Sequence, residues 1–174
     1  MRTTLFLSFT LAAAAAGMML AGCGTAVDTT GTGPQQQPLY GSWVSQGADV
    51  APLLAGAPFN NTKITATFKD DGSYSVVSFD TSNKEIDYAG TYQIMPSTVS
   101  NIIQIRCSQV MPSTAQAEGM YQIDMSTTPA RMQYEVVQTQ PTNGLQPPSP
   151  DKGFGSTIYN GTQISTLIQK YSRQ

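Results

Sequence analysis

The sequence predicts an all-β domain: an antiparallel up-and-down barrel of about eight strands, with a β-sandwich as the alternative. Three observations carry that prediction. Stretches in which apolar and polar residues alternate recur roughly every ten to fifteen residues from Leu39 onward. Turn-forming Gly, Asn, Asp and Pro residues separate them. No helical repeat lies between them, which disfavours the crossover helices that parallel strands need.

The first strand starts at Gly41-Ser42-Trp43. In TKITATFK (62–69), Ile64, Ala66 and Phe68 share one face while Lys63, Thr65, Thr67 and Lys69 share the other, the period of two of a half-buried strand. Asp70-Asp71-Gly72 reads as the following turn rather than as a cation site, because glycine takes positive φ without strain. A strand over 73–80 comes next, its polarity blurred by Val76 and Val77. Over 87–94, Tyr88, Gly90, Tyr92 and Ile94 fall together, with Gly90 marking a bulge or a sharp bend. Ile103, Ile105 and Cys107 then oppose Gln104, Arg106 and Ser108, so Cys107 reads as a small buried hydrophobe. Residues 120–125 place Tyr121, Ile123 and Met125 inward, and 131–138 place Met132, Tyr134 and Val136 inward. A Pro- and Gln-rich loop covers 139–153, where prolines cannot supply ladder hydrogen bonds, and 154–159 reads as a last short strand. In GTQISTLIQKYSRQ, Ile164, Leu167, Ile168 and Tyr171 fall at i, i+3, i+4 and i+7, which predicts a short C-terminal amphipathic helix. Thr162 is positioned to cap it, and Lys170 and Arg173 suit its C-terminal dipole.

Ahead of the domain, Arg2 precedes a long uncharged stretch of Leu, Phe, Ala and Met, the layout of a secretion signal. It ends in Leu20-Ala21-Gly22-Cys23, which resembles the bacterial lipobox, where small residues precede a cysteine that becomes acylated. The expected organisation is therefore a lipoprotein signal peptide over 1–22, a lipidated Cys23 with a flexible linker to residue 38, and one domain over 39–174. Several acyl chains, palmitate-like, on one residue exceed the threshold for stable attachment, so the membrane is a partner through the lipid. The Gly-, Thr-, Gln- and Pro-rich linker would hold the domain about 20 Å off the surface. Gly24 stands where an aspartate would resemble an inner-membrane retention signal. The expected location is the outer membrane, facing the periplasm or the cell surface. With Cys23 acylated, Cys107 has no partner for a disulfide.

Composition narrows the chemistry. There is no histidine, which removes the commonest general base, the Ser-His-Asp system and most zinc sites. A lone thiol without an imidazole or a CxxC neighbour argues against thiol catalysis. No glycine-rich phosphate loop occurs. Nine Lys and Arg against eleven Asp and Glu leave no basic stripe for nucleic acid. No catalytic residue, metal site or cofactor is expected.

At Gly41-Ser42-Trp43 the chain resembles the G-x-W signature of the lipocalin and calycin group, and GMYQIDMSTTPARMQYEVVQTQP is similar to the later strands of small bacterial lipocalin-like domains. The resemblance covers roughly 39–171 and implies a lipocalin-like eight-stranded barrel with Trp43 plugging its closed end. Lipocalins also cross a basic residue over that tryptophan. The implied function is binding of a small hydrophobic or amphipathic ligand by inward residues, with Ile64, Phe68, Ile105, Tyr121, Ile123 and Tyr134 as the lining. Tyr74, Tyr88 and Tyr92 join Tyr121 and Tyr134 as inward tyrosines, for which core packing is the ordinary role. The alternative is a non-catalytic protein-interaction module with a packed barrel, an inhibitor of a secreted enzyme included, that meets its partner through 139–153 or a strand edge.

Overall fold

The computed structural model describes residues 39–174. The expected signal peptide, Cys23 and linker lie outside the described residues. Seven consecutive strands form a meander: β1 (Gly41–Gln46), β2 (Asn61–Phe68), β3 (Ser73–Asp80), β4 (Glu85–Met95), β5 (Ile103–Met111), β6 (Ala115–Asp124) and β7 (Arg131–Gln140). The chain then makes a small separate sheet from β8 (Leu145–Gln146), β9 (Thr157–Tyr159) and β10 (Thr162–Ile164). Finally β11 (Gln169–Arg173) inserts between β7 and β1 and closes an eight-stranded barrel in which every neighbour is antiparallel. One sheet closed on itself leaves no open rims, so the sandwich alternative falls away.

The predicted alternation is what the strands carry. Ile64, Ala66 and Phe68 are buried on β2, and Ile105 and Cys107 are buried on β5. The 70–72 segment is a turn: Gly72 has φ of +81°, the Gly72 amide donates to the Lys69 carbonyl at 3.1 Å, and the Asp71 carboxylate accepts from the Ser73 amide and hydroxyl. Gly90 marks the bulge that its spacing suggests, since the β4–β5 register shifts between Ala89 and Gly90. A Cβ there would lie 2.1 Å from the Ser108 carbonyl oxygen. Gly119 does the same on β6, where a Cβ would lie 2.0 Å from the Glu135 carbonyl oxygen, so β6 and β7 approach there more closely than any side chain permits.

Three expectations are corrected. The predicted C-terminal helix does not form: Thr162 and Ile164 lie in β10, and Lys170, Tyr171 and Arg173 lie in β11. Without β11, both β1 and β7 would be left with unpaired edges, and pairing both outweighs a weak local helical period. Gln169 and Tyr171 are in fact buried while Lys170 is exposed, a period of two hidden inside an apparent period of 3.6. The strand expected over 154–159 exists only as β9, which belongs to the small sheet and not to the barrel. Met125 is exposed, because β6 ends at Asp124 and the chain turns away before it.

The small sheet and its loops lie against the outer face of β6 and β7. Met120, Glu135 and Val137 point away from the barrel interior, opposite in phase to Tyr121, Tyr134 and Val136, yet all three are buried. Glu135 is held there by the covering segment: its carboxylate accepts from the Gly155 amide at 2.6 Å, the Thr157 amide at 3.2 Å and the Thr157 hydroxyl at 2.6 Å. A buried carboxylate with three donors is a satisfied one.

Candidate functional site

The two ends of the barrel differ. At one end lie the turns 69–72, 96–102 and 125–130 and the start of β1. Trp43 closes this end: it is 0% exposed, its indole N–H donates to the Leu39 carbonyl at 2.9 Å, and the Arg173 guanidinium lies 5.0 Å from its ring centre. Arg173 is anchored in turn by donating to the Tyr40 carbonyl at 2.6 Å. Its position in β11, at the last strand beside the first, is what brings a cation over the plug.

At the opposite end lie 47–60, 81–84, 112–114 and 141–168. Residues 47–56 fold over part of this mouth. Val50 and Ala51 are buried and Leu54 packs against the core, while Asp49 reaches back along the outside of the barrel to the Arg131 guanidinium at the start of β7, with contacts of 2.9 and 3.1 Å. Below them, Gln169 bridges two partners: its amide oxygen accepts from the Ala51 N–H at 2.8 Å and its NH2 donates to the buried Ser45 hydroxyl. Around this end, among the described residues, cluster most of the large apolar side chains left in water: Leu53, Phe59, Ile86, Val110 and Met111. Val110, at 65% exposed, is the most open of these.

All six predicted lining residues face the interior and join one apolar cluster. Ile64, Phe68, Ile105 and Tyr121 are buried; Ile123 and Tyr134 are partly buried against them. Phe68 and Tyr134 touch, with ring centres 6.2 Å apart, and the contacts extend to Tyr74, Tyr92 and Tyr171. Of the tyrosines on predicted inward faces, Tyr74 and Tyr121 are buried and Tyr92 packs on the core; Tyr171 reaches it as well, from the segment expected to be helical. The Tyr92 hydroxyl donates to the Lys69 carbonyl at 2.6 Å.

Val76, Ala117, Tyr134 and Val136 sit within their strands on the inward face, yet each keeps partial exposure to solvent. Burial pushes the Tyr134 hydroxyl well above the usual phenol range, so this residue is deep. A concavity of about 740 Å³ is open, lies beside β6, β7 and β11, and is lined largely by polar groups such as Gln122, Asp124, Arg131 and Lys170.

Cys107 is the small buried hydrophobe that its alternation predicts. Its sulfur lies 3.7 Å from the Tyr134 hydroxyl, and burial raises its thiol from 9.0 to about 11. A thiol with a raised pKa favours the folded state while it is protonated. That contribution is present in full below pH 9 and is lost as pH rises through about 11. Tyr74, raised to about 12 by burial, acts with the same sign at higher pH. The domain is therefore expected to resist iodoacetamide at pH 8 and to unfold in alkali, with Cys107 labelling and tyrosinate absorbance rising together. Rapid labelling of the native protein at pH 8 would contradict this placement of the thiol.

Sequence reasoning missed the polar parts of this site. Ser45 and Ser78 are short polar residues whose burial no pattern signals, Gln169 lies in the stretch expected to be helical, and Glu135 reads as an ordinary exposed charge until the covering segment is seen. No family model, curated protein or solved structure matches the chain.

Proposed function

We propose that this chain is a lipid-anchored, lipocalin-like protein of the bacterial outer membrane whose barrel holds a small apolar or amphipathic molecule and catalyses nothing. The observation that carries the reading is the inward apolar face of a closed barrel, on which Val76, Ala117, Tyr134 and Val136 keep partial exposure to solvent. An apolar concavity with few polar groups is what such ligands occupy. Two further features support it. One end is closed by Trp43 beneath Arg173, the arrangement the family resemblance leads one to seek. The other end is ringed by exposed apolar side chains, suited to passing a greasy molecule between membrane and barrel.

Native mass spectrometry of protein taken from the producing cell is the direct test. The expected spectrum contains a bound species of lipid-like mass that dissociates on activation. A spectrum of unliganded protein alone, with no uptake of added lipid, would count against the reading. The same apolar ring also favours a second reading, a packed module that docks a protein through Phe59, Ile86, Val110 and Met111; a ligand-free barrel that captures a protein partner would select it.

A further inference from the structure

Ser78 is 3% exposed, and its hydroxyl is, among the described residues, the buried side-chain polar atom that lacks a hydrogen-bond partner. Buried hydroxyls in folded proteins are nearly always paired, so an orphan of this kind calls for a partner that arrives from outside the chain. Its position says where. Ser78 shares the inward phase of Tyr74 on β3, and the register places it between Ile64 of β2 and Ile86 of β4. Ile64 is beside Ser45 of β1, so Ser45, Ile64, Ser78 and Ile86 form one row near the mouth. Within that row Ser45 is bonded to Gln169, and Ser78 is flanked by two isoleucines whose side chains offer a trapped water no other partner.

The charges nearby restrict what arrives. Asp80 follows two residues along β3, and Asp87 and Glu85 start β4 at the same end. Arg173, the cation on the inward phase of β11, is engaged at the opposite end with the Trp43 ring and the Tyr40 carbonyl. Of the cations at this end of β2 and β3, Lys63 lies over Phe79 and Lys84 sits in the exposed 81–84 turn. A carboxylate or phosphate drawn in beside Ser78 would lose its hydration with no positive charge to replace it.

Resting on the ligand-holding reading above, we propose that Ser78 is the polar anchor of the site and that the ligand is an uncharged amphiphile whose hydroxyl or carbonyl group bonds to it, its chain running inward toward Tyr134. A hydroxyl both donates and accepts, so either head group is served.

The test uses the full-length lipidated protein in membranes and two photoreactive probes with the same acyl chain, one a monoacylglycerol and the other a free fatty acid. The monoacylglycerol is expected to crosslink to inward residues of the barrel, and the fatty acid at least tenfold less. Ser78→Ala should raise the half-saturating monoacylglycerol concentration about fivefold to tenfold, as loss of one neutral hydrogen bond does, and Ser78→Thr should restore it. Ser78→Ala should melt no lower than the parent, because no internal bond is lost. Equal labelling by both probes, unchanged in Ser78→Ala, would overturn the anchor and the neutral head group while leaving a ligand-holding barrel intact. Absence of barrel labelling by either probe would overturn both readings, and a marked drop in the melting point of Ser78→Ala would mean that the hydroxyl is satisfied within the protein.

Discussion

Replacing Trp43 with alanine is expected to destabilise the domain by about 4 kcal/mol, in the range found when a large buried aromatic is removed. Three effects combine. The indole is sealed from solvent, its deletion leaves the Leu39 carbonyl without its donor at 2.9 Å, and the Arg173 guanidinium loses the ring 5.0 Å away. A domain of this size has only some 5–15 kcal/mol in all, so the variant should melt roughly 15 °C lower. Urea unfolding followed by far-ultraviolet circular dichroism measures it. Trp43→Phe separates the parts: it keeps most of the ring volume and drops the N–H, so it should lose about half as much. A Trp43→Ala variant within 1 kcal/mol of the parent would rule out a structural plug.

Glu135→Ala is expected to have a comparable effect by another route. Removing the carboxylate leaves the Gly155 amide, the Thr157 amide and the Thr157 hydroxyl without their acceptor, and each buried orphan costs about 1–3 kcal/mol. The segment has an escape that a core residue lacks, because it can lift off the barrel and give its donors to water. The expected phenotype is therefore local. Amide exchange should accelerate in 145–164 well before the β2–β5 strands respond, and proteases should cut there. Glu135→Gln retains one oxygen but turns an NH2 toward backbone donors, so it should fall between the two. Uniform acceleration across the whole barrel would contradict the picture of a latch.

How much of this was legible beforehand depends on where burial comes from. Where the barrel interior buries a residue, alternation reveals it: Ile64, Ala66 and Phe68 could be assigned from spacing alone, and β3 runs over 73–80 as expected. Where a distant segment buries a residue, no local pattern exists. Met120 and Glu135 occupy the outward phase and are buried all the same, Glu135 beneath the Gly155 and Thr157 that bond to it. The C-terminal stretch failed for a related reason, since a five-residue strand supports two periods about equally well and only the vacant edges of β1 and β7 choose between them. The candidate lining was legible because it is the apolar phase of the strands. The unpartnered Ser78 was not, because a serine on a strand carries no sign of whether anything answers its hydroxyl.

Because β11 follows the 141–168 excursion in the chain, Trp43 must wait for Arg173, almost the last residue to arrive, before its cylinder can shut. Until then seven ribbons stand with two bare flanks, each able to adopt a stranger's backbone. The slow, exposed stage of this molecule's life thus falls at the end of its folding, and a chaperone that shields bare strand margins would be needed then more than at any earlier moment.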